Sequence, residues 1–186
     1  MSSRFASEQP ASVRPDAQRS VESAVQQADH GLTLLAVEDI DAASRSPARL
    51  LITASTQQSI ETLARRIHGN GPRAEFPFVV TSAGELPLGA RALRKDCVRF
   101  LDAAAEGSVL LRAVEEMPSA VQEAFIDLLT ELESARRPSA AVRLISGTTV
   151  SLLDRVSAGT FSERLFYRLN IIHLRVANGS PAAALI

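Results

Sequence analysis

LLITASTQQSIETLARRIH, residues 50–68, opens with a short apolar run from Leu50 to Thr53 and continues with Ile60, Leu63, Ala64 and Ile67 at helical spacing. That pattern predicts a buried strand, a tight turn and an amphipathic helix. A phosphate-binding loop occupies this kind of turn. It needs glycines so that successive backbone N–H groups can curl around a phosphate, a lysine for the terminal phosphates, and a hydroxyl on Mg²⁺. The turn here is Ala54-Ser55-Thr56-Gln57-Gln58-Ser59-Ile60, with no glycine and no lysine, and the only lysine of the chain, Lys95, lies well outside it. The scaffold of a nucleotide site is expected, without its chemistry.

On the carboxyl side of this segment, Gly69 to Arg73 reads as a turn and Phe76 to Thr81 as a second strand. Pro87 to Ala104 alternates apolar and charged residues in a helical manner, and Ser108 to Leu111 forms a third strand entered through Gly107. Pro118 stands where a first-turn proline belongs, ahead of a helix whose apolar face is Val121, Phe125, Leu128, Leu129 and Leu132 and which ends at Arg136-Arg137-Pro138. Val142 to Ile145 is a fourth strand running into Ser146-Gly147-Thr148-Thr149; Ile171 to Val176 is a fifth, with a short helix at Glu163 to Leu169 between them. Strands alternating with helices of this length predict a mostly parallel, five-stranded α/β sheet with right-handed crossovers. On the amino side, residues 1–20 lack periodicity and are expected to be disordered. Val21 to Ala28 and Leu32 to Ala43 are weakly helical patches that would cover an edge of the core. Residues 21–176 thus form the core and 177–186 a short apolar tail.

The composition narrows the function classes. With 186 residues, 46% hydrophobic and 22% charged, the chain can bury one substantial core. A net charge of −1 gives no bulk attraction for nucleic acid. One cysteine, Cys97, excludes an internal disulfide framework and fits a reducing, cytoplasmic compartment. His30, His68 and His173 are too scattered to suggest a metal site. No apolar run reaches membrane-spanning length, so no membrane role is expected.

Five separated stretches together resemble one family, the AAA+ ATPase core of sigma-54-dependent transcriptional activators, also called the sigma-54 interaction domain. Leu50 to His68 lies on its strand, Walker A loop and helix, and Pro72-Arg73 with Pro77-Phe78-Val79 on the approach to its second strand. GSVLLRAVEEMP, residues 107–118, lies on the Walker B segment G-T-L-F-L-D-E-I-G-E-M-P. Arg143 to Thr149 lies on the sensor I strand, R-V-I-A-A-T-N, and FSERLFYRLN, residues 161–170, on F-R-E-D-L-Y-Y-R-L-N, which carries arginines that reach a neighbouring subunit. The resemblance implies a three-layer P-loop NTPase fold. The departures fall on chemistry. Ala54, Gln57 and Ser59 replace Walker A glycines and Ile60 replaces the lysine; Arg112 and Ala113 replace the Walker B acids; Thr149 replaces the sensor I asparagine; Ser162 replaces the first finger arginine, while Arg168 stays. Between Leu86 and Gly107 the chain is shorter than the family and lacks the G-A-F-T-G-A loop that touches sigma-54. A helical lid, a receiver-type regulatory domain and a DNA-binding domain are likewise not matched.

The expected function is therefore that of a non-catalytic pseudo-ATPase that binds neither ATP nor Mg²⁺ and modulates transcription by associating with intact AAA+ activators, or with itself, through the family's subunit surfaces. The alternatives are an ATP-binding sigma-54-dependent regulator and a remnant without function. The degenerate loop, Ser55, Thr56, Gln57, Gln58, Ser59, Ile60 and Glu61, either offers hydroxyls and amides to an anion or simply caps its helix, through Thr56 to Ser59 or Ser59 to Thr62. Arg112 either mimics metal or lysine charge near a phosphate, or reaches water or pairs with a nearby acid such as Glu115 or Glu116. Arg168 either acts as an arginine finger in trans or caps or salt-bridges within its own short helix, beside Glu163.

Overall fold

The computed structural model describes residues 39–134 and 142–176, except for the side chains of Leu132 and Ser134. The expectations for residues 1–20, for Val21 to Ala28, for 32–38, for the end of the long helix at Arg136 to Pro138 and for the tail 177–186 lie outside them. The described chain runs through a helical stretch at 39–45 (α1), β1 (Leu50–Thr53), α2 (Gln57–Gly69), β2 (Phe78–Ser82), α3 (Ala90–Ala104), β3 (Ser108–Arg112), α4 (Ser119–Ser134), β4 (Arg143–Thr148), α5 (Leu152–Ser157), α6 (Glu163–Leu169) and β5 (Ile172–Arg175).

The five strands form one parallel sheet in the order β2-β3-β4-β1-β5. Alternation along the strands builds the two cores. Leu50, Ile52, Leu110 and Ile145 turn to one face, where they meet Ile60, Ala64 and Ile67 of α2 and Ile40 and Ala43 of α1. Leu51 and Leu111 turn to the other, against Leu93 of α3, Phe125 and Leu129 of α4 and Leu165 and Leu169 of α6. Strands covered on both faces are continuous apolar runs, as β1 is. The three-layer α/β sandwich expected from the sequence is the fold observed.

The boundaries shift for identifiable reasons. β2 begins at Phe78 rather than Phe76, because Pro77 has no N–H to donate and contributes only its carbonyl, which accepts from Ser108 N at 3.1 Å. α3 begins at Ala90, not Pro87: Gly89 is its N-cap and accepts from Leu93 N at 2.8 Å. Pro118 sits one position before α4, where its carbonyl accepts from Val121 and Gln122 N. β4 continues through Ser146, Gly147 and Thr148, since the strand must run past α2 and glycine admits that contact. α5 was not expected at all, although Ser151 followed by Asp154 is a capping sequence and the Ser151 hydroxyl accepts from Asp154 N at 3.3 Å.

Two buried polar side chains tie layers together. Arg143 is 4% exposed; its Nη2 and Nε donate to the carbonyls of Ala43 and Ala48 at 2.7 and 3.0 Å, fastening α1 to the start of β4. Burial lowers its guanidinium to about 10, still protonated at neutral pH. His68, at the end of α2, places Nε2 3.0 Å from the Phe76 carbonyl and Nδ1 3.0 Å from Ser108 Oγ. A carbonyl only accepts, so Nε2 carries the proton and Nδ1 accepts from the serine.

Burial holds the His68 pKa below the ordinary 6.5. The unfolded chain therefore takes up this proton first on acidification. The stability this group contributes is complete above about 6.5 and is lost as pH falls through the lower folded value. His68→Gln is expected to flatten the acid side of the chain's stability profile, so that the native-minus-variant difference shrinks from pH 7 to pH 5. Urea midpoints at pH 7 and pH 5 check this; an unchanged slope would show that His68 does not titrate with unfolding.

Candidate functional site

The candidate site lies at the carboxyl ends of β1, β3 and β4, where ligands gather in open parallel sheets. From Gln57 onward the residues that would make a phosphate cradle are helical here. Thr56 is the N-cap of α2: its Oγ1 accepts from Ser59 N at 3.1 Å and its carbonyl from Ile60 N at 3.2 Å. The Thr56-to-Ser59 capping expected from the sequence is thus the one formed, and the connection shrinks to Ala54, Ser55 and Thr56. The amides of Ser59 and Ile60 are consumed inside the helix. Ser55, Thr56 and Gln58 are exposed, while Gln57 and Ser59 are half-buried.

Ile60 does not face the mouth of the site. It is completely buried, and its Cγ2 lies 2.4 Å from where a Cβ on Gly147 would stand. Position 60 is thereby packed onto β4 as core.

Glu61 is held from two sides. Its Oε1 accepts from Arg65 Nε and Nη2 at 3.0 and 2.7 Å, and its Oε2 from Arg112 Nη1 at 3.3 Å. The pairing of Arg112 with Glu115 or Glu116 expected from the sequence is replaced by one with α2. Glu115 is already engaged, since its Oε1 accepts from Thr149 N and Oγ1 at 3.0 and 2.8 Å. Ala113 follows Arg112 in the left-handed region, φ 51° and ψ 46°, a conformation that costs an alanine about 1 kcal/mol. Arg112 Nε and Glu115 Oε2 are buried without a hydrogen-bond partner among the described residues.

Chemically, the site presents a guanidinium where the resemblance puts a metal-binding carboxylate, and both oxygens of Glu61 are already bonded to arginines. Among the described residues no group of three or more His, Cys, Asp or Glu could hold a metal ion.

Arg168 stands at the opposite, amino-terminal end of the sheet. It pairs with Glu133 Oε2 at 3.0 Å, not with Glu163, and Glu133 Oε1 also takes Arg49 Nη2 at 2.5 Å. Packing of α6 on α4 brings Glu133 to it. The hydrogen bond from Arg49, with the nearby arginine charges, holds the Glu133 carboxyl below its usual range. The sequence also left Gln122 unnoticed. It is buried, donates to the Met117 carbonyl at 2.8 Å and accepts from Ser162 N at 2.6 Å, so it fixes the start of α6 against α4.

A family model described as the sigma-54 interaction domain matches residues 88–175. Regulatory protein AtoC of Escherichia coli K12 is 34% identical over 150 residues, 69% of this chain and 32% of AtoC. The chain belongs to the sigma-54 interaction domain family. Response regulator protein PilR of Pseudomonas aeruginosa, at 30% identity over 151 residues, and the DNA-binding transcriptional regulator NtrC of E. coli, at 29% over 154, are further relatives. The chain spans about a third of the length of these proteins: 32% of AtoC, 34% of PilR and 32% of NtrC. Among solved structures, NtrX from Brucella abortus in complex with ATP superposes with a TM-score of 0.65 at 23% identity, over 86% of this chain and 43% of NtrX. The P-loop NTPase domain of an E. coli sigma-54 activator gives 0.52 at 19%, over 85% of this chain and 97% of that domain. At these identities the likeness shows the fold. In this sigma-54 interaction domain the model match begins after α2, so it leaves residues 50–68 outside. No helix among the described residues is long and apolar enough to cross a membrane.

Proposed function

We propose that this chain is a non-catalytic sigma-54 interaction domain, a pseudo-ATPase that tunes transcription by associating with intact AAA+ activators. The single observation that carries the reading is the exchange of charge at the sheet's carboxyl end. An arginine, Arg112, lies against Glu61, and a core isoleucine, Ile60, fills the lysine's place. Phosphoryl transfer is driven by fixed cations on the phosphates and a metal held by carboxylates. Arg112 would repel that metal, and Ile60 can neither neutralise nor hydrogen-bond a phosphate. The built-in guanidinium already satisfies the carboxylate that faces the site, so neither ATP nor Mg²⁺ is needed to hold the domain together.

The partner in this reading is an intact sigma-54 activator, engaged through the subunit surfaces of the fold. Arg168 would enter a neighbour's site as a finger in trans only after leaving Glu133. The test mixes this chain with an active ATPase domain of the family and follows phosphate release against the mixing ratio, with Arg168→Ala in parallel. Ring activity is expected to change with the native chain. No change at any ratio would remove the partner from the proposal, and an identical response to Arg168→Ala would remove the finger.

A further inference from the structure

On the face of the sheet away from α2 there is a cavity of about 270 Å³, floored by Val109 and Leu111 of β3 and walled by Cys97 and Phe100 of α3 and Phe125 of α4, with Arg49 and Glu133 at its rim. It is a partly open cleft, and its lining is mostly apolar. A cavity of this size, apolar inside with a few polar groups at one end, is the usual form of a small-molecule site. For scale, a dry engineered cavity of about 150 Å³ takes up benzene.

The rim selects the ligand's charge. Arg49 and Arg168 share one acid, Glu133, so two cations face a single carboxylate there. Among the described residues, Nη1 of Arg49 makes one long contact, 3.4 Å, to the Arg168 carbonyl.

We infer that this cavity is a binding site for a small apolar carboxylate, an aromatic or medium-chain aliphatic acid, with its body between α3, α4 and β3 and its carboxylate on Arg49. The site is separate from the Walker positions, and it stands whether or not the chain is a pseudo-ATPase. It gives the domain a place to sense a metabolite of that class.

Cys97 supplies the readout, being the only cysteine and lying in the cavity wall. Cys97 is buried, and burial pushes its thiol up to about 12, so its labelling is slow and sensitive to whatever fills the cavity beside it. The full chain is titrated with 1-naphthoate and with neutral 1-naphthalenemethanol, following calorimetric heat and the rate of Cys97 labelling by a disulfide reagent. Naphthoate is expected to bind saturably, one per chain, and to slow labelling. Val109→Phe, which fills the cavity, should abolish both effects. Arg49→Gln, which leaves the cavity open, should weaken naphthoate about tenfold, by loss of a charge-assisted hydrogen bond, and leave the alcohol unchanged. Absence of saturable binding, or equal binding by a folded Val109→Phe chain, would overturn the site. Equal loss of acid and alcohol in Arg49→Gln would overturn the carboxylate. Should Val109→Phe fail to fold, Cys97 protection in the native chain and the Arg49→Gln comparison decide.

Discussion

Ile60→Lys, which restores the Walker A lysine, is expected to cost ~3–5 kcal/mol of stability and to give no nucleotide binding. Ile60 is fully buried among Leu50, Ile52, Ala64 and Ile145, and its Cγ2 fills the space that Gly147, lacking a Cβ, leaves open. The substitution removes that packing and carries an ammonium toward an apolar face. The acid beside it in sequence, Glu61, already serves Arg65 and Arg112. Total stabilities of domains are commonly ~5–15 kcal/mol, so the variant should be only marginally folded. Urea denaturation measures it. A loss under ~1 kcal/mol would mean that the new side chain escapes to the mouth of the site.

Gly107→Ala should be nearly as damaging, at about 3 kcal/mol, the upper end of overpacking costs. A Cβ there would stand 2.0 Å from the Pro77 carbonyl oxygen and 2.9 Å from that of Ala104. Both obstacles are backbone, so no flexible side-chain tip can swing away. The same residue donates to Ala104 O at 2.8 Å and accepts from Arg143 N at 3.0 Å, and Ser108 N bonds the Pro77 carbonyl at 3.1 Å. A shift there pulls β3 from β2 and β4 at their starts. A lower urea midpoint with an unchanged slope is the expected signature. A midpoint equal to that of the native chain would show that the α3–β3 turn accommodates a methyl group.

Much of the frame was legible because it is local. The apolar run at Leu50, the 3.6-residue spacing from Ile60 and the hydroxyl at Thr56 each act within a few residues, and they place β1, α2 and its cap where they are found. Glycines and prolines were harder to read, because their effect is tertiary. The apolar run of the fourth strand stops at Ile145 in the sequence, yet Gly147 continues β4 past Ile60. The ion pairs were legible least. Arg112 passes over Glu115 and Glu116, three and four residues on, for Glu61 on the packed helix α2, because Glu115 caps the Thr149 amide. Arg168 similarly finds Glu133 instead of Glu163, through the packing of α4 on α6. Which charge meets which is set by the crossovers, and one sequence does not display it. The cavity beside Cys97 depends on how α3 and α4 seat on β3, and has no sequence signature at all.

The loss of the nucleotide's chemistry, on which the functional reading depends, is open to a single titration of the full chain with ATP and Mg²⁺ by calorimetry. With Ile60 in the core and Arg112 on Glu61, no saturable heat is expected up to millimolar nucleotide. Saturable binding of one ATP per chain in the micromolar range would contradict it.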